Sequence, residues 1–255
     1  APLMGLWPAH WAAARATHPL MEDEYRRWFG RTLTGTGYST LVRDAYRQSW
    51  RVHVEELILG GLNPTTVNDW VRIEGLENLE EALGHGKGVI LLYPHAGPIM
   101  LMIAALGFRG FPYVQYAARG LAPEPIAQEH PELLPRNLWT MAVREAREAH
   151  ENALPVEYLT EDAPVRELHR CLGDNKIVGI AFDGRIGSGW FPAPFLNRTA
   201  LLSRGPWKLA TGTGATVLPV FCTARVGHKA TVHIGPPTPA QSDWKMLAHT
   251  TIPTF

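Results

Sequence analysis

Hydrophobic and polar positions follow two different periods along this chain. From Arg15 to Phe29 and from Thr40 to Leu59, apolar residues recur at three- and four-residue spacing, the period of a helix with one buried face. Leu41, Ala45, Trp50, Val54, Leu57 and Ile58 share one side of the second segment, and Gly60-Gly61 followed by Asn63-Pro64 ends it. Residues 1–66 therefore read as a helical cover. From residue 70 the pattern alternates between strand-like and helix-like runs. Val71–Glu74 reads as a short strand, Leu76–Gly84 as a helix and Gly86-Lys87-Gly88 as a turn. Val89–Tyr93 is an unbroken apolar run rich in β-formers, as in a strand buried on both faces.

The alternation continues to Pro236-Pro237. Ile99–Phe108, Arg136–Asn152, Pro164–Leu172 and Leu202–Thr213 read as helices. Phe111–Ala117, Pro155–Leu159, Lys176–Phe182, Thr216–Thr223 and Lys229–Gly235 read as strands. Strand, crossover and strand in this repeated order predict an α/β fold: a mostly parallel central sheet with helices on both faces. With no break in composition, the chain reads as one domain over 1–255, its α/β core spanning 67–255.

Composition narrows the function classes. Hydrophobic residues make up 45% of the 255 and charged residues 19%, which suits a packed globular chain. Lys+Arg and Asp+Glu are both 24, so the basic excess that nucleic-acid binding draws on is missing. Two cysteines, Cys171 and Cys222, are too few for a disulfide framework or a zinc cluster, and both read as packing residues. Histidines such as His10, His85 and His169 lack metal-ligand spacing, so no metal is expected. Gly212-Thr213-Gly214 reads as a helix stop, because no lysine-serine pair follows it. Apolar stretches fall well short of the roughly 20 residues of a membrane span, and no signal-peptide pattern stands out. Ala1 is not a methionine and Phe255 falls in mid-pattern, so neither end is taken as a natural terminus.

In a parallel sheet, ligands collect at the carboxyl ends of the strands. Two segments there combine glycine with ionisable side chains: Tyr93 to Pro98, and Phe182 to Trp190. His95 directly follows an apolar strand, where an imidazole can act as a general base or simply bond a turn carbonyl. Asp183 and Arg185 suit either a polar-headgroup or anion site, with Gly184, Gly187 and Gly189 in support, or a turn cap beside a surface charge. Arg119 adds a cation near the same edge, or is a solvated arginine. Trp190, Phe191, Phe195 and Trp207 suit an apolar tunnel or plain core packing.

Those segments resemble the lysophospholipid acyltransferase superfamily, nearest to its bacterial lipid A lauroyl/myristoyl acyltransferase and phosphatidylinositol mannoside acyltransferase branch. The likeness lies in WVRIEGLENLEEALGHGKGVILLYPHAG, in LHRCLGDNKIVGIAFDGRIGSGWFPAPFLNRTALLSRGPWKLATGTGATVLPVF and in VHIGPP, in that order. It implies an enzyme that moves an acyl group from a coenzyme A or acyl-carrier-protein thioester to a hydroxyl or amine of a polar acceptor, with no tightly bound cofactor. The family's histidine, in a His-x4-Asp/Glu motif, corresponds to His95, and its acidic partner position is occupied by Met100. Asp183 then becomes the expected orienting group, with Gly97, Gly184, Arg119 and Arg185 as substrate-binding residues and Arg204 a further candidate. A non-acyl displacement or cyclisation, and a non-catalytic binding role, remain the alternatives that the thioether at Met100 raises. The expected partner is a small or carrier-bound substrate of secondary metabolism in the cytoplasm. The first helix, with a tryptophan, arginines and mixed charge, is the expected point of any peripheral membrane contact.

Overall fold

The structure is a computed structural model and describes residues 7–13, 15–30, 37–117, 138–160, 162–184, 189–195, 198–238 and 241–255. The chain divides into two compact units, Ala1–Ile58 and Leu59–Phe255.

The first unit is helical. It contains α1 (Trp7–Ala13), α2 (His18–Phe29) and α3 (Gly37–Ile58), with α1 and α2 both packed on α3. Pro19 sits in the first turn of α2, where its missing N–H costs nothing, and Gly30 at φ +57° ends the helix. The Trp11 and His18 rings stack with centroids 3.6 Å apart, and Tyr46 of α3 meets both edge-on. Tyr38 and Val42 are buried alongside Trp50 and Val54, so the buried stripe of α3 begins earlier than the sequence pattern indicates.

The second unit is the α/β core. Its elements are α4 (Val67–Trp70), β1 (Val71–Glu74), α5 (Leu76–Gly84), β2 (Val89–Tyr93), α6 (Ile99–Phe108), β3 (Tyr113–Tyr116), α7 (Leu138–Asn152), β4 (Glu157–Leu159), α8 (Val165–Gly173) and β5 (Ile177–Ala181). There follow β6 (Trp190–Phe195), β7 (Arg198–Ser203), α9 (Gly205–Thr213), β8 (Thr216–Ala224), β9 (Ala230–Ile234) and α10 (Trp244–Thr251). Seven strands form one sheet in the order β1-β9-β8-β2-β5-β3-β4. Every neighbouring pair is parallel except β8 and β9. The segment 225–229 between those two is too short for a crossover, so they can pair only as antiparallel neighbours.

Burial follows the pleat. Ile90 and Leu92 of β2 join Val114, Val178, Ile180 and Val217 in a core cluster with side chains of α8, α9 and α10. Val89, Leu91 and Tyr93 alternate to the opposite face. All five β2 side chains are buried, which is why the run is continuous rather than alternating. Helix α6 is apolar on every side and buried from Leu101 to Gly107, packed against β1, β3 and β9. At the amino-terminal edge of β2, Asn175 in left-handed backbone braces two turns. Its Oδ1 accepts from the Gly88 N–H at 3.0 Å, and its Nδ2 donates to the Leu83 carbonyl at 3.0 Å.

Two segments differ from the sequence expectation. Leu202 and Ser203 belong to β7, which pairs with β6 as a separate antiparallel hairpin, so the helix expected from Leu202 starts at Gly205. Pro206 in the first helical turn marks that start. Along β6 the exposures alternate, with Trp190, Pro192 and Pro194 outward and Phe191 and Ala193 inward. Phe191 and Trp207 are core residues, their rings perpendicular at 5.4 Å. Helix α10, beyond the last expected strand, is capped by Asp243, whose carboxylate accepts from the Lys245 N–H at 2.9 Å. No helix among the described residues is long and apolar enough to cross a membrane.

Gly179 of β5 gives the sharpest packing test. A methyl there would lie 1.8 Å from the Tyr113 hydroxyl oxygen and 3.0 Å from Gln115 Oε1. Both neighbours are buried and hydrogen-bonded to each other, so neither can swing aside. Gly179→Ala should lower unfolding free energy by about 1–3 kcal/mol, the usual cost of overpacking a core. Urea titration followed by circular dichroism measures it, and an unchanged midpoint would refute the packing described.

Candidate active site

The site arises from strand register. In the β2–β5 pair Tyr93 stands opposite Ala181, and the ladder closes with the Phe182 N–H donating to the Tyr93 carbonyl at 3.1 Å. Each chain then continues two residues, to His95 and to Asp183. Equal advance from a registered pair keeps the two residues abreast. The Asp183 carboxylate accepts from the His95 backbone N–H at 3.1 Å (Oδ1) and 2.9 Å (Oδ2). It also meets His95 Nδ1 at 2.8 Å through Oδ1. Ring and backbone of one residue are thus gripped by a single carboxylate.

The turn after β2 is shaped for this. The Ala96 N–H donates to the Pro94 carbonyl at 2.7 Å, and the Ile99 N–H to the Gly97 carbonyl at 3.0 Å. Gly97 has φ +76°, and a methyl on it would lie 1.9 Å from the Cys222 carbonyl oxygen of β8. Glycine is required there on both counts: left-handed backbone and direct approach to a neighbouring strand. Gly184 passes beneath the imidazole, its ideal Cβ position 3.6 Å from His95 Cε1. Met100 is half-buried in the first turn of α6.

Electrostatics follow from the contacts. The hydrogen bond that the ring donates to Asp183 raises His95 above its ordinary 6.5, against the opposing effect of partial burial. For Asp183, burial pushes the carboxyl upward, but the ring and backbone hydrogen bonds from His95 outweigh it and leave the group below its ordinary 3.8. The side chains are 63% and 36% exposed, so the imidazole faces solvent while its carboxylate is half-sheltered. With Nδ1 engaged, Nε2 is the nitrogen that presents a lone pair outward. This is the arrangement of a histidine base held in one tautomer by a carboxylate.

His95, Asp183, Gly184 and Gly97 therefore converge at one sheet edge. Arg119 and Arg185 lie outside the described residues. Arg204 is exposed at the end of β7 and folds over Gly189, whose carbonyl accepts its backbone N–H at 3.0 Å. A methyl at Gly189 would fall 2.1 Å from Arg204 Nε, so the guanidinium stem occupies the space left by the missing side chain. Among the described residues, no group of three His, Cys, Asp or Glu side chains could hold a metal ion.

A polar network under the site escaped the sequence reading. The hydroxyls of Tyr93 and Tyr113 both donate to Gln115 Oε1 at 2.8 Å, and Gln115 Nε2 donates to the Tyr116 carbonyl at 3.1 Å. It ties β2 to β3 at the residue from which the His95 turn departs. The available signal was a glutamine between two tyrosines in an otherwise apolar strand. Burial raises both tyrosine hydroxyls well above their usual range, so they act as hydrogen-bonding groups rather than proton donors to solvent.

Residues 38–250 match the family model described as bacterial lipid A biosynthesis acyltransferase, well over half of the chain. No curated protein matches it.

The His95–Asp183 pair carries a signed pH dependence. A raised histidine contributes stability that is complete below 6.5 and is lost as pH rises through its folded value; a lowered carboxylate contributes stability that is complete above 3.8 and is lost as pH falls through its own. The pair should therefore stabilise the fold most between those two limits. By proton NMR the His95 ring should titrate above 6.5, and Asp183→Asn should lower that midpoint. An identical midpoint in the variant would break the link between the two residues.

Proposed function

The chain belongs to the bacterial lipid A biosynthesis acyltransferase family and is an enzyme of acyltransferase type, and from that premise we propose that His95 is its general base and Asp183 the residue that orients it. The supporting observation is the 2.8 Å contact between His95 Nδ1 and Asp183 Oδ1 on a solvent-facing ring. In this reading Nε2 removes the proton from an acceptor hydroxyl or amine. The acceptor atom attacks the thioester carbonyl of an acyl-coenzyme A or acyl carrier protein. The C–S bond breaks, the thiolate leaves, and the imidazolium returns the proton to it. Asp183 holds the tautomer and stabilises the imidazolium as it forms.

Met100 occupies the position where the family motif His-x4-Asp/Glu has its acid, and a thioether can neither ionise nor accept a strong hydrogen bond. In this reading Asp183 takes its place from the turn that follows β5. Because the substitute carboxylate also grips the backbone N–H of His95, the ring and the turn beneath it are fixed together. Arg119, Arg185 and Arg204 are the cations for an anionic part of donor or acceptor, and Gly97 and Gly184 shape the floor. In this reading the acceptor is a polar small or carrier-bound molecule of secondary metabolism, handled in the cytoplasm, with peripheral membrane contact as the alternative.

His95→Ala should abolish transfer from an acyl thioester to an identified acceptor. Asp183→Asn should lower kcat by about 10²- to 10⁴-fold with the KM for donor little changed, since orientation rather than binding is lost. The wild-type rate should climb with pH through the raised His95 value and then level off. Full turnover by His95→Ala would end this reading.

A further inference from the structure

Three adjacent strands bring together Glu74, Thr223 and His233, which are far apart in sequence. Glu74 of β1 is registered with His233 of β9, while His233 is opposite Phe221 and Thr231 opposite Thr223 across the β8–β9 pair. Thr223 and His233 are therefore diagonal neighbours on one face of the sheet. His233 Nδ1 lies 2.9 Å from Glu74 Oε2, and His233 Nε2 lies 3.0 Å from Thr223 Oγ1. Arg72 Nε steadies the other Glu74 oxygen at 3.1 Å.

With the ring singly protonated, these contacts fit the proton arrangement of a base beside a hydroxyl. A carboxylate can only accept, so Nδ1 carries the hydrogen shared with Glu74. In that arrangement Nε2 is an acceptor and the Thr223 hydroxyl donates to it. The carbonyl of Thr231, at 3.4 Å, is the more distant acceptor for that hydroxyl. A hydroxyl donating to an imidazole that is oriented by a carboxylate is the arrangement of an activated nucleophile. Thr223 is exposed, and the His233 and Glu74 side chains are 40% and 42% exposed, so an external reagent can reach them.

We infer that Thr223 is a second nucleophilic centre, which takes an acyl group from a thioester as a covalent ester, with His233 as base and Glu74 as its positioning residue. Thr223 Oγ attacks the thioester carbonyl while its proton passes to His233 Nε2. The C–S bond breaks, and the departing thiolate takes the proton from His233. The products are an acyl ester on Thr223 and a thiol, with no change of oxidation state. The ester forms on the strand that borders the catalytic turn, since Thr223 follows Cys222, whose carbonyl abuts Gly97. Nothing in this step uses His95.

The test uses the intact chain and phenyl thioacetate at neutral pH. Thiophenol release is followed by absorbance, and the acetyl group is located by peptide mass mapping. A rapid phase of about one thiol per chain is expected, with the acetyl group on Thr223. Thr223→Val should remove that adduct, and His233→Gln should slow its formation about a hundredfold. Glu74→Gln should slow it less and alter its pH profile. His95→Ala should still form the adduct at the wild-type rate, which separates this centre from the one proposed above. An unlabelled Thr223 in the wild-type chain overturns the inference, whatever the variants do. Labelling of Thr223 that is unaffected by His233→Gln, or lost in His95→Ala, also overturns it.

Discussion

One carboxylate joins the ends of two neighbouring strands. Asp183 accepts from both the backbone N–H and the ring of His95, so the direction of the imidazole is decided by the same group that pins the turn beneath it. Charge-assisted bonds of this kind are roughly twice as strong as neutral ones. They need no further helper so long as β2 and β5 stay in register. A one-residue slip between those strands would put one of the two residues on the wrong face. The geometry of the site is therefore a consequence of sheet pairing.

That pairing is secured from both ends. Below, Asn175 clamps the turns that lead into β2 and β5, using a left-handed backbone that asparagine tolerates better than other residues with side chains. Above, Gln115 collects the hydroxyls of Tyr93 and Tyr113, and Gly179 makes room for the second of them. Both side-chain polar atoms of Gln115 are hydrogen-bonded, which is the condition under which such networks rigidify a core rather than weaken it. Between these clamps the side chains of β2 and β5 are apolar.

The edge strands follow a different logic. Reversal of β9 relative to β8 places an antiparallel ladder beside a parallel one, and β1 then docks parallel to β9. This order of strands gathers Glu74, His233 and Thr223 into a second histidine–carboxylate unit, distinct in sequence from the first. Both units hold the imidazole through Nδ1 and direct Nε2 elsewhere. They differ in what Nε2 meets: a protein hydroxyl in one, and solvent in the other.

Local pattern was enough to read the bounds of α5, β2 and α6, because continuous burial writes itself as an unbroken apolar run and glycine punctuates the turns. It also singled out the two segments that hold His95, Gly97, Asp183 and Gly184, which the structure brings side by side. The β6–β7 hairpin was hidden because every residue of β6 is apolar or proline, so alternation in burial left no alternation in polarity. Strand order, by contrast, has no local signature. Residues 95 and 183 are partners only because β5 inserts between β2 and β3, and residues 74, 223 and 233 meet only because β9 turns back between β1 and β8. Periodicity is a property of neighbours in the chain, whereas hydrogen bonds between strands join residues that the chain keeps far apart.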